Sequence, residues 1–200
     1  MTGHVAAILL AAGKSRRMGS CKQLLPLGAG TVVGRCLDAL VTGGAGEITV
    51  VVSEEGNLVV EAVRAYPVRI VVNPEPAGDM ASSVRAGRDA LRYEASGVIV
   101  SLCDYPLVSA NTIATMVAEH ANTPDSIIIP CHQDRRGHPL LFPREILNRL
   151  EPGVTLRDLV RCCSDRARCL GVSDPGVLID MDTPDDYHRI CGILSTVGTE

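Results

Sequence analysis

Large aromatic side chains are scarce in this 200-residue chain, which has four Tyr, one Phe and no Trp. The hydrophobic core must therefore be built from Val, Leu, Ile and Ala. The chain also offers few flat rings on which unpaired bases could stack, as they do in proteins that bind single-stranded nucleic acid. We therefore expect no nucleic-acid partner.

Long apolar segments are missing as well. No apolar run reaches the roughly 18 residues that a membrane-spanning helix needs. The first apolar run, Val5–Ala12, is short, and its cations follow it rather than precede it. This order is wrong for a signal peptide. We expect no membrane partner and a cytoplasmic location.

The eight cysteines include no CxxC motif. Cys162 and Cys163 are adjacent and Cys169 lies six residues further on, which fits no common zinc spacing. A chain of this length, with 46% hydrophobic residues, can bury a core without disulfides. We therefore predict reduced thiols rather than a metal or redox centre.

Acidic residues are absent from the first 37 positions, although the whole chain has 23 acidic and 19 basic residues. The cations of this segment are Lys14, Arg16, Arg17, Lys22 and Arg35. A basic tail for nucleic acid would not have apolar runs on both sides of its cations, as Val5–Ala12 and Leu24–Leu27 are here. The pattern favours a phosphate-binding loop over a merely solvated basic loop.

The position of this loop supports the same interpretation. Val5–Ala12 is a continuous apolar run typical of a central parallel strand buried on both faces. Gly13 and Gly19 allow the chain to bend tightly and approach a ligand. Open α/β sheets bind ligands at the carboxyl ends of their strands, where these cations lie. The loop contains neither GxxxxGK[ST] nor GxGxxG.

Strands and helices alternate along the first half of the chain. The predicted strands are Val5–Ala12, Ile48–Val52, Val68–Val72 and Gly97–Leu102, and the predicted helices are Thr31–Val41, Glu54–Ala65 and Asp79–Leu91. The second half is less regular: helices are predicted at Ala110–Ala121, Thr155–Cys162 and Thr183–Leu194, and strands at Ser126–Pro130, Ala167–Val172 and Val177–Ile179. The alternation predicts an α/β fold, a Rossmann-like mostly parallel sheet with helices on both faces.

Asp104 follows the buried strand Gly97–Leu102 closely. A carboxylate there faces the same edge of the sheet as the cationic loop. It could instead cap the next helix, but Ser109 is better placed to do so. We therefore favour Asp104 as a ligand for a hard metal ion.

Asp180 and Asp182 are a pair of further candidate carboxylates. Their side chains share one face if the segment is extended. Magnesium is usually held by one or two carboxylates together with substrate phosphates, a number that Asp104 and Asp182 would supply. Alternatively, Asp182 and Asp185 only favour the N-terminus of the following helix. The spacing alone does not decide between these.

Two other segments carry polar groups suited to a ligand. Asp79–Ser83 begins a helix whose free amides could bind an anion or the polar edge of a base, although Asp79 could equally be an ordinary cap. Arg135–Pro139 is a polar turn before an apolar run. Its His138, between Gly and Pro, is either a second phosphate contact or part of a plain surface loop.

The first loop resembles the signature of the MobA-like nucleotidyltransferases, with the residues Leu10-Ala11-Ala12-Gly13-x-Ser15-x-Arg17-Met18-Gly19-x-x-Lys22-x-Leu24-Leu25. The later matches, in chain order, are Asn73-Pro74 with Gly78-x-Met80-x-Ser82-Ser83, Asp104-Tyr105-Pro106-Leu107-Val108, Gly137-His138-Pro139 and Asp180-Met181-Asp182-Thr183-Pro184-Asp185-Asp186. The Gly-His-Pro element points to the molybdenum cofactor cytidylyltransferase branch. Tyr105 and Asp185 depart from the pattern, which has Met or Gln and Glu there.

The resemblance covers about residues 4–190 and implies one nucleotidyltransferase domain over residues 1–200, of the nucleotide-diphospho-sugar transferase type. Residues 1–104 would bind the nucleotide, and residues 105–200 would bind the acceptor and complete the metal site. The implied nucleotide-binding residues are Leu10, Ala11, Ala12, Gly13, Ser15, Arg16, Lys22, Asn73, Gly78, Ser82 and Ser83. The implied acceptor-binding residues are Gly137, His138 and Pro139.

The implied reaction joins CMP from CTP to molybdopterin and releases pyrophosphate. Lys22, Arg17 and Asp104 would be catalytic, with Mg²⁺ on Asp104 and Asp182. The product would require transient contact with a molybdoenzyme or its chaperone. Guanylyl transfer, transfer to a sugar or polyol phosphate, and a non-catalytic cofactor-binding chaperone are the alternatives.

Overall fold

The chain is seen in a computed structural model that describes residues 4–13, 15, 17–75, 79–92 and 94–197. Lys14, Arg16 and Gly78, which the sequence suggested for phosphate or nucleotide binding, lie outside the described residues. The strands are β1 Val5–Leu10, β2 Pro26–Leu27, β3 Gly30–Thr31, β4 Glu47–Val52, β5 Arg69–Val72, β6 Gly97–Leu102, β7 Ile127–His132, β8 Arg135–Arg136, β9 Leu140–Pro143 and β10 Ala167–Gly171. The α-helices are α1 Val32–Thr42, α2 Asn57–Val63, α3 Met80–Ala90, α4 Ala110–Asn122, α5 Arg144–Leu147, α6 Leu156–Cys162 and α7 Pro184–Val197.

Strand β1 lies near the middle of the main sheet, whose strand order is β10-β7-β9-β6-β1-β4-β5, with β8 paired to β7. Its apolar side chains are nearly all buried because β4 and β6 flank it and helices cover both faces. β1, β4, β5 and β6 run parallel, so their carboxyl ends meet at one edge. The predicted mostly parallel α/β sheet is confirmed.

Helices cover both faces of this sheet, as predicted. On one face α1, α2, α4 and α7 pack through aliphatic residues such as Leu37, Val63, Met116 and Ile190. On the other face α3, α5 and α6 pack through residues such as Val84 and Ile146. The core is aliphatic because the chain has so few rings. No described helix is long and apolar enough to cross a bilayer.

Two predictions of local structure were wrong. The segment predicted as a strand at Val177–Ile179 lies mostly in a 3₁₀ helix, Pro175–Leu178, because Asp174 accepts a hydrogen bond from the Gly176 amide and caps the turn. The helix predicted at Glu54–Ala65 begins only at Asn57. The residues before it form a turn closed by the Gly56 amide on the Ser53 carbonyl (2.9 Å).

Asp174 ties this turn to helix α4. Its carboxylate accepts hydrogen bonds from the Ser109 amide (2.8 Å), the Thr112 hydroxyl (2.7 Å) and the Gly176 amide (2.8 Å). Ser109 caps α4 as predicted, since its hydroxyl accepts from the Thr112 amide. The turn is thereby held in place, and its Val177 carbonyl accepts a hydrogen bond from the His138 amide (2.9 Å).

We expect His120 to make the stability of the fold depend on pH. The residue is 1% exposed, and its Nε2 lies 2.9 Å from the Ser96 hydroxyl. Burial lowers the pKa of His120. Above pH about 6.5 both the folded and the unfolded protein hold this imidazole neutral. As the pH falls below that value the unfolded chain takes up the proton first, so the free energy of unfolding decreases, by at most about 1.4 kcal/mol per pH unit.

We expect His120→Gln to flatten that decrease, because Gln can still bond to Ser96 but does not titrate. Urea unfolding of both proteins between pH 5 and 8 measures it. Burial also lowers the pKa of His138, so part of the pH dependence should remain in the variant. Equal slopes in the two proteins would show that His120 is not responsible.

Candidate active site

A cleft of about 470 Å³ opens at the carboxyl edge of β1, β4, β5 and β6. Its lining includes these residues predicted from the sequence: Leu10, Ala12, Gly13, Lys22, Asn73, Ser83 and Asp104. Ala11, Ser15 and Ser82 do not line it. Since Asp104 follows β6 and Asn73 follows β5, with β1 and β4 between, the cleft spans four strands, or roughly 14 Å at the usual strand spacing.

Gln23 organises the loop that follows β1. Its side chain is buried, and its Nε2 donates to the carbonyls of Ala11 (3.1 Å) and Gly13 (2.8 Å). Its Oε1 accepts from the Ser15 hydroxyl (3.2 Å) and the Cys21 thiol (3.1 Å). The Ser15 hydroxyl also accepts from the Lys22 amide. In the described structure Ser15 therefore holds the loop together by hydrogen bonds to Gln23 and Lys22 and does not line the cleft.

Sequence reasoning missed Gln23, whose only signal was a polar residue beside the apolar run Leu24–Leu27. We expect Gln23→Leu to lower the free energy of unfolding by about 1–3 kcal/mol, because the buried carbonyl of Ala11 and the partly buried carbonyl of Gly13 lose their donor. Urea unfolding measures this. Gln23→Glu is a second variant, which keeps the shape of the side chain but lacks the amide donor. It should also lower the free energy of unfolding. An unchanged unfolding curve for both variants would contradict this role.

The ammonium of Lys22 lies between two carboxylates at one end of the cleft. Its Nζ is 3.1 Å from Asp104 Oδ2, 3.1 Å from Asp182 Oδ1 and 2.9 Å from the Met181 carbonyl oxygen. The whole residue is only 8% exposed. Arg17 extends from the loop and pairs with Asp182 Oδ2 at 2.8 Å, with most of its side chain in solvent. The fold thus brings together all four residues predicted for catalysis or metal binding.

Thr183 and Asp186 cap the N-terminus of α7, where the alternative placed Asp182 and Asp185 as favourable charges: the Thr183 hydroxyl accepts a hydrogen bond from the Asp186 amide at 3.2 Å. The Asp186 carboxylate accepts from the amides of Asp182 and Thr183 and from the Thr183 hydroxyl. These bonds, that of the Thr183 hydroxyl first, lower the pKa of Asp186. The Met181 amide donates to the Asp104 carbonyl at 2.8 Å, which places the two segments side by side. The Asp182 carboxylate is therefore directed to Lys22 and Arg17.

This oxygen cluster suits a hard divalent cation. Asp104, Asp182 and the Met181 carbonyl supply the ligand type that Mg²⁺ and Mn²⁺ prefer. Asp104 Oδ1 is buried and has no hydrogen-bond partner among the described residues. No three described His, Cys, Asp or Glu side chains gather in a metal-holding group. A cation here would thus have two carboxylate ligands and would take its remaining ligands from substrate and water.

Asn73 joins the end of β5 to helix α3. Its Nδ2 donates to the hydroxyls of Ser82 and Ser83, each at 2.9 Å, and its Oδ1 accepts from the Glu75 amide. Asp79 caps α3 by accepting from the Ser82 amide at 2.8 Å. Asn73 and Ser83 border the cleft, whereas Ser82 lies behind them. The capping interpretation of Asp79 is therefore confirmed.

Acidic residues line the end of the cleft farthest from Asp104, and sequence reasoning missed them. Glu54 and Glu55 belong to the turn after β4, and Glu75 follows β5. Glu75 pairs with Arg85 at 3.1 Å. The cleft therefore has paired charges, Lys22 with Asp104, near β1 and β6, and further carboxylates near β4 and β5. Such an end would suit neutral hydrogen-bond donors better than phosphates.

The Gly-His-Pro element lies beside the carboxylate cluster, outside the cleft lining. The His138 ring packs against Tyr105, with ring centroids 4.8 Å apart. Only Gly fits at position 137, because a Cβ there would lie 2.3 Å from the Val177 carbonyl oxygen. Burial lowers the pKa of His138. Burial first, and then the charges of Asp180, Asp104 and Asp182, raise the pKa of Tyr105 to about 12, so both rings are neutral at pH 7.

Known proteins resemble this chain over nearly its whole length. The model of the MobA-like NTP transferase domain matches residues 7–166. Nicotine blue oxidoreductase of Paenarthrobacter nicotinovorans is 32% identical over 198 residues, covering 93% of this chain and 96% of that protein. Molybdenum cofactor cytidylyltransferase of Escherichia coli K12 is 28% identical over 189 residues, covering 92% and 93%.

Solved structures share the fold. The crystal structure of Rv0371c from Mycobacterium tuberculosis H37Rv has a TM-score of 0.83 and 28% identity, covering 96% of this chain and 100% of that chain. Another crystal structure of that protein is a complex with manganese, with a TM-score of 0.77, 24% identity and coverage of 96% and 100%. The predicted fold, that of the nucleotide-diphospho-sugar transferases, is confirmed.

Proposed function

Since this chain belongs to the MobA-like NTP transferase family, we propose that it joins CMP from CTP to a molybdopterin acceptor and releases pyrophosphate. Nucleotidyl transfer is the chemistry that the description of this domain family implies. The choice of CTP and of a molybdopterin acceptor rests on the Gly137-His138-Pro139 element and on the similarity to the cytidylyltransferase of Escherichia coli.

One observation carries the proposal: Lys22, Asp104 and Asp182 meet at one end of a cleft of about 470 Å³. That volume is in the usual range for small-molecule sites. Binding a nucleotide without chemistry would not require a lysine and two carboxylates in contact. The complete set therefore favours an enzyme over the non-catalytic chaperone.

The acceptor would attack through a phosphate group, which is already ionised at neutral pH. No general base is then needed, and catalysis consists of alignment and stabilisation of charge. The acceptor phosphate forms a bond to the α-phosphorus of the nucleotide, and the bond from that phosphorus to the β-phosphate bridging oxygen breaks. Lys22 and Arg17 would hold the triphosphate and stabilise the leaving pyrophosphate.

Asp104 and Asp182 would hold Mg²⁺, as their oxygen donors and the buried Asp104 Oδ1 suggest. When bound, the ion would supply Lewis-acid polarisation of the α-phosphate. The manganese complex of Rv0371c is consistent with a divalent cation in this fold.

The remaining parts of the site would position the two substrates. Asn73, Ser83 and the turn at Glu54 and Glu55 border the end of the cleft near β4 and β5, where the nucleoside would lie with its amino and hydroxyl groups facing oxygen acceptors. The paired rings of Tyr105 and His138 lie on the other side of the carboxylates. They would bound the acceptor site, which needs neutral contacts beside a phosphate.

The test is pyrophosphate release with Mg²⁺ and molybdopterin, offering CTP, GTP, ATP and UTP in separate reactions. We expect release with CTP, with a control that omits the acceptor. Release with GTP alone would move the protein to guanylyl transfer. Transfer to a sugar or polyol phosphate but not to molybdopterin would show that the acceptor is one of those phosphates and not molybdopterin. No release with any pair would refute the proposal and favour the chaperone or an activity such as that named for the oxidoreductase relative.

A further inference from the structure

The Lys22 ammonium has no donor left for a phosphate. An ammonium has three N–H groups. In this structure its three oxygen neighbours are Asp104 Oδ2, Asp182 Oδ1 and the Met181 carbonyl, at 3.1, 3.1 and 2.9 Å. These oxygens are also the described ligands that suit a divalent cation. Lys22 therefore occupies the oxygen ligands that the cation would need, and it must give up some of these hydrogen bonds to bind a triphosphate.

The local structure lets the ammonium move while the backbone stays in place. The Lys22 amide is anchored by the Ser15 hydroxyl at 3.1 Å, and the residue begins the short 3₁₀ helix Lys22–Leu24. Between this anchor and the ammonium lies a flexible four-carbon stem. Lys22 also borders the cleft, so its ammonium can turn toward a ligand there by changing side-chain rotamers.

We propose that the Lys22 ammonium and a divalent cation are alternative occupants of the Asp104–Asp182 pair, and that nucleotide phosphates drive the exchange by drawing Lys22 away. This inference rests on the proposed function in one respect, that the cleft takes a nucleoside triphosphate. In the free protein the lysine neutralises the carboxylates and competes with the cation for them. Cation and nucleotide then bind cooperatively, and each raises the affinity of the other by the same factor.

The direct test measures Mn²⁺ binding to the free protein by the electron paramagnetic resonance signal of unbound Mn²⁺. We expect Lys22→Met to bind Mn²⁺ at least about tenfold more tightly than the wild type, a coupling of ordinary size. Arg17→Met is the matched control, because it removes the same charge from Asp182 but at an exposed position. It should change the affinity by less than about fivefold, the effect typical of an exposed ion pair.

Asp104→Asn locates the ion. In the Lys22→Met background it should abolish the gain. With the non-hydrolysable analogue α,β-methylene-CTP, the wild type should gain at least about tenfold in Mn²⁺ affinity. Circular dichroism checks folding, and Lys22→Gln replaces Lys22→Met if that variant fails to fold.

Two results would overturn the inference: Lys22→Met binding Mn²⁺ no more tightly than the wild type, or Asp104→Asn leaving the gain in the Lys22→Met background intact. Neither result depends on turnover. A protein that releases no pyrophosphate with any nucleotide, yet shows the gain in Lys22→Met, would refute the proposed function and keep the exchange. Normal turnover without the gain would do the reverse.

Discussion

Replacing Asp104 with Asn should lower the rate of pyrophosphate release by about 10²–10³-fold, a loss of about 3–4 kcal/mol of transition-state stabilisation. Asp104 lies where the cleft meets the Lys22 ammonium, and its Oδ1 is buried without a described partner. Asn keeps the shape but removes the negative charge that a cation needs. The loss should therefore appear in kcat more than in the KM for the nucleotide.

The measurement is a steady-state pyrophosphate assay with CTP, Mg²⁺ and molybdopterin, together with a thermal melt to verify folding. Asp180→Asn is the matched control. This carboxylate is two residues from Asp182 but, among the described residues, is not one of the ion-pair partners of Lys22. It should change the rate by less than about tenfold, as expected for a charge that acts only at a distance. Equal losses of rate in the two variants would show that Asp104 has no catalytic role beyond that of any nearby carboxylate.

Replacing Lys22 with Met should have an effect of similar size, about 10²–10³-fold in kcat. Met keeps much of the length and apolar character of the stem but cannot donate to a phosphate. Lys22→Arg should not restore the rate, because a planar guanidinium does not fit the position of a compact ammonium that is 8% exposed. Arg17→Met should cost less, since that side chain is largely in solvent.

The rates of these variants follow from the same assay as for Asp104→Asn. The expected combination is unusual: Lys22→Met should bind Mn²⁺ more tightly in the absence of nucleotide and yet turn over more slowly. A general loss of structure would weaken both properties, so the opposite signs identify the role of the ammonium. Near-normal turnover of Lys22→Met would exclude Lys22 from the chemical step.

Much of the fold could be predicted from local patterns. The apolar run from Val5 predicts a buried central strand, the helix predicted from Thr31 is present, and Asp79 and Ser109 cap helices as expected. These signals are local because strand burial and capping involve neighbouring residues. The pattern failed at Val177–Ile179, where apolar residues typical of a strand were outweighed by the cap from Asp174.

The site could be predicted only in part, because its key contacts join distant segments. The family signature led to Lys22, Asp104 and Asp182. The two aspartates lie 82 and 160 residues after the lysine in the chain. It did not reveal Gln23, whose role is to bond backbone carbonyls that local patterns cannot place. It also missed the turn at Glu54 and Glu55, which the predicted helix concealed.

The sequence by itself determined the strand and helix periods, the aliphatic core and the cationic loop, since each depends on residue types at short spacing. The tertiary structure decided what the charged groups do. The parallel order of β6, β1, β4 and β5 brings their carboxyl ends to one edge, and the Met181–Asp104 backbone bond adds Asp182. Only then does Lys22 stand between two carboxylates, because its partners are chosen by chain topology and not by sequence spacing.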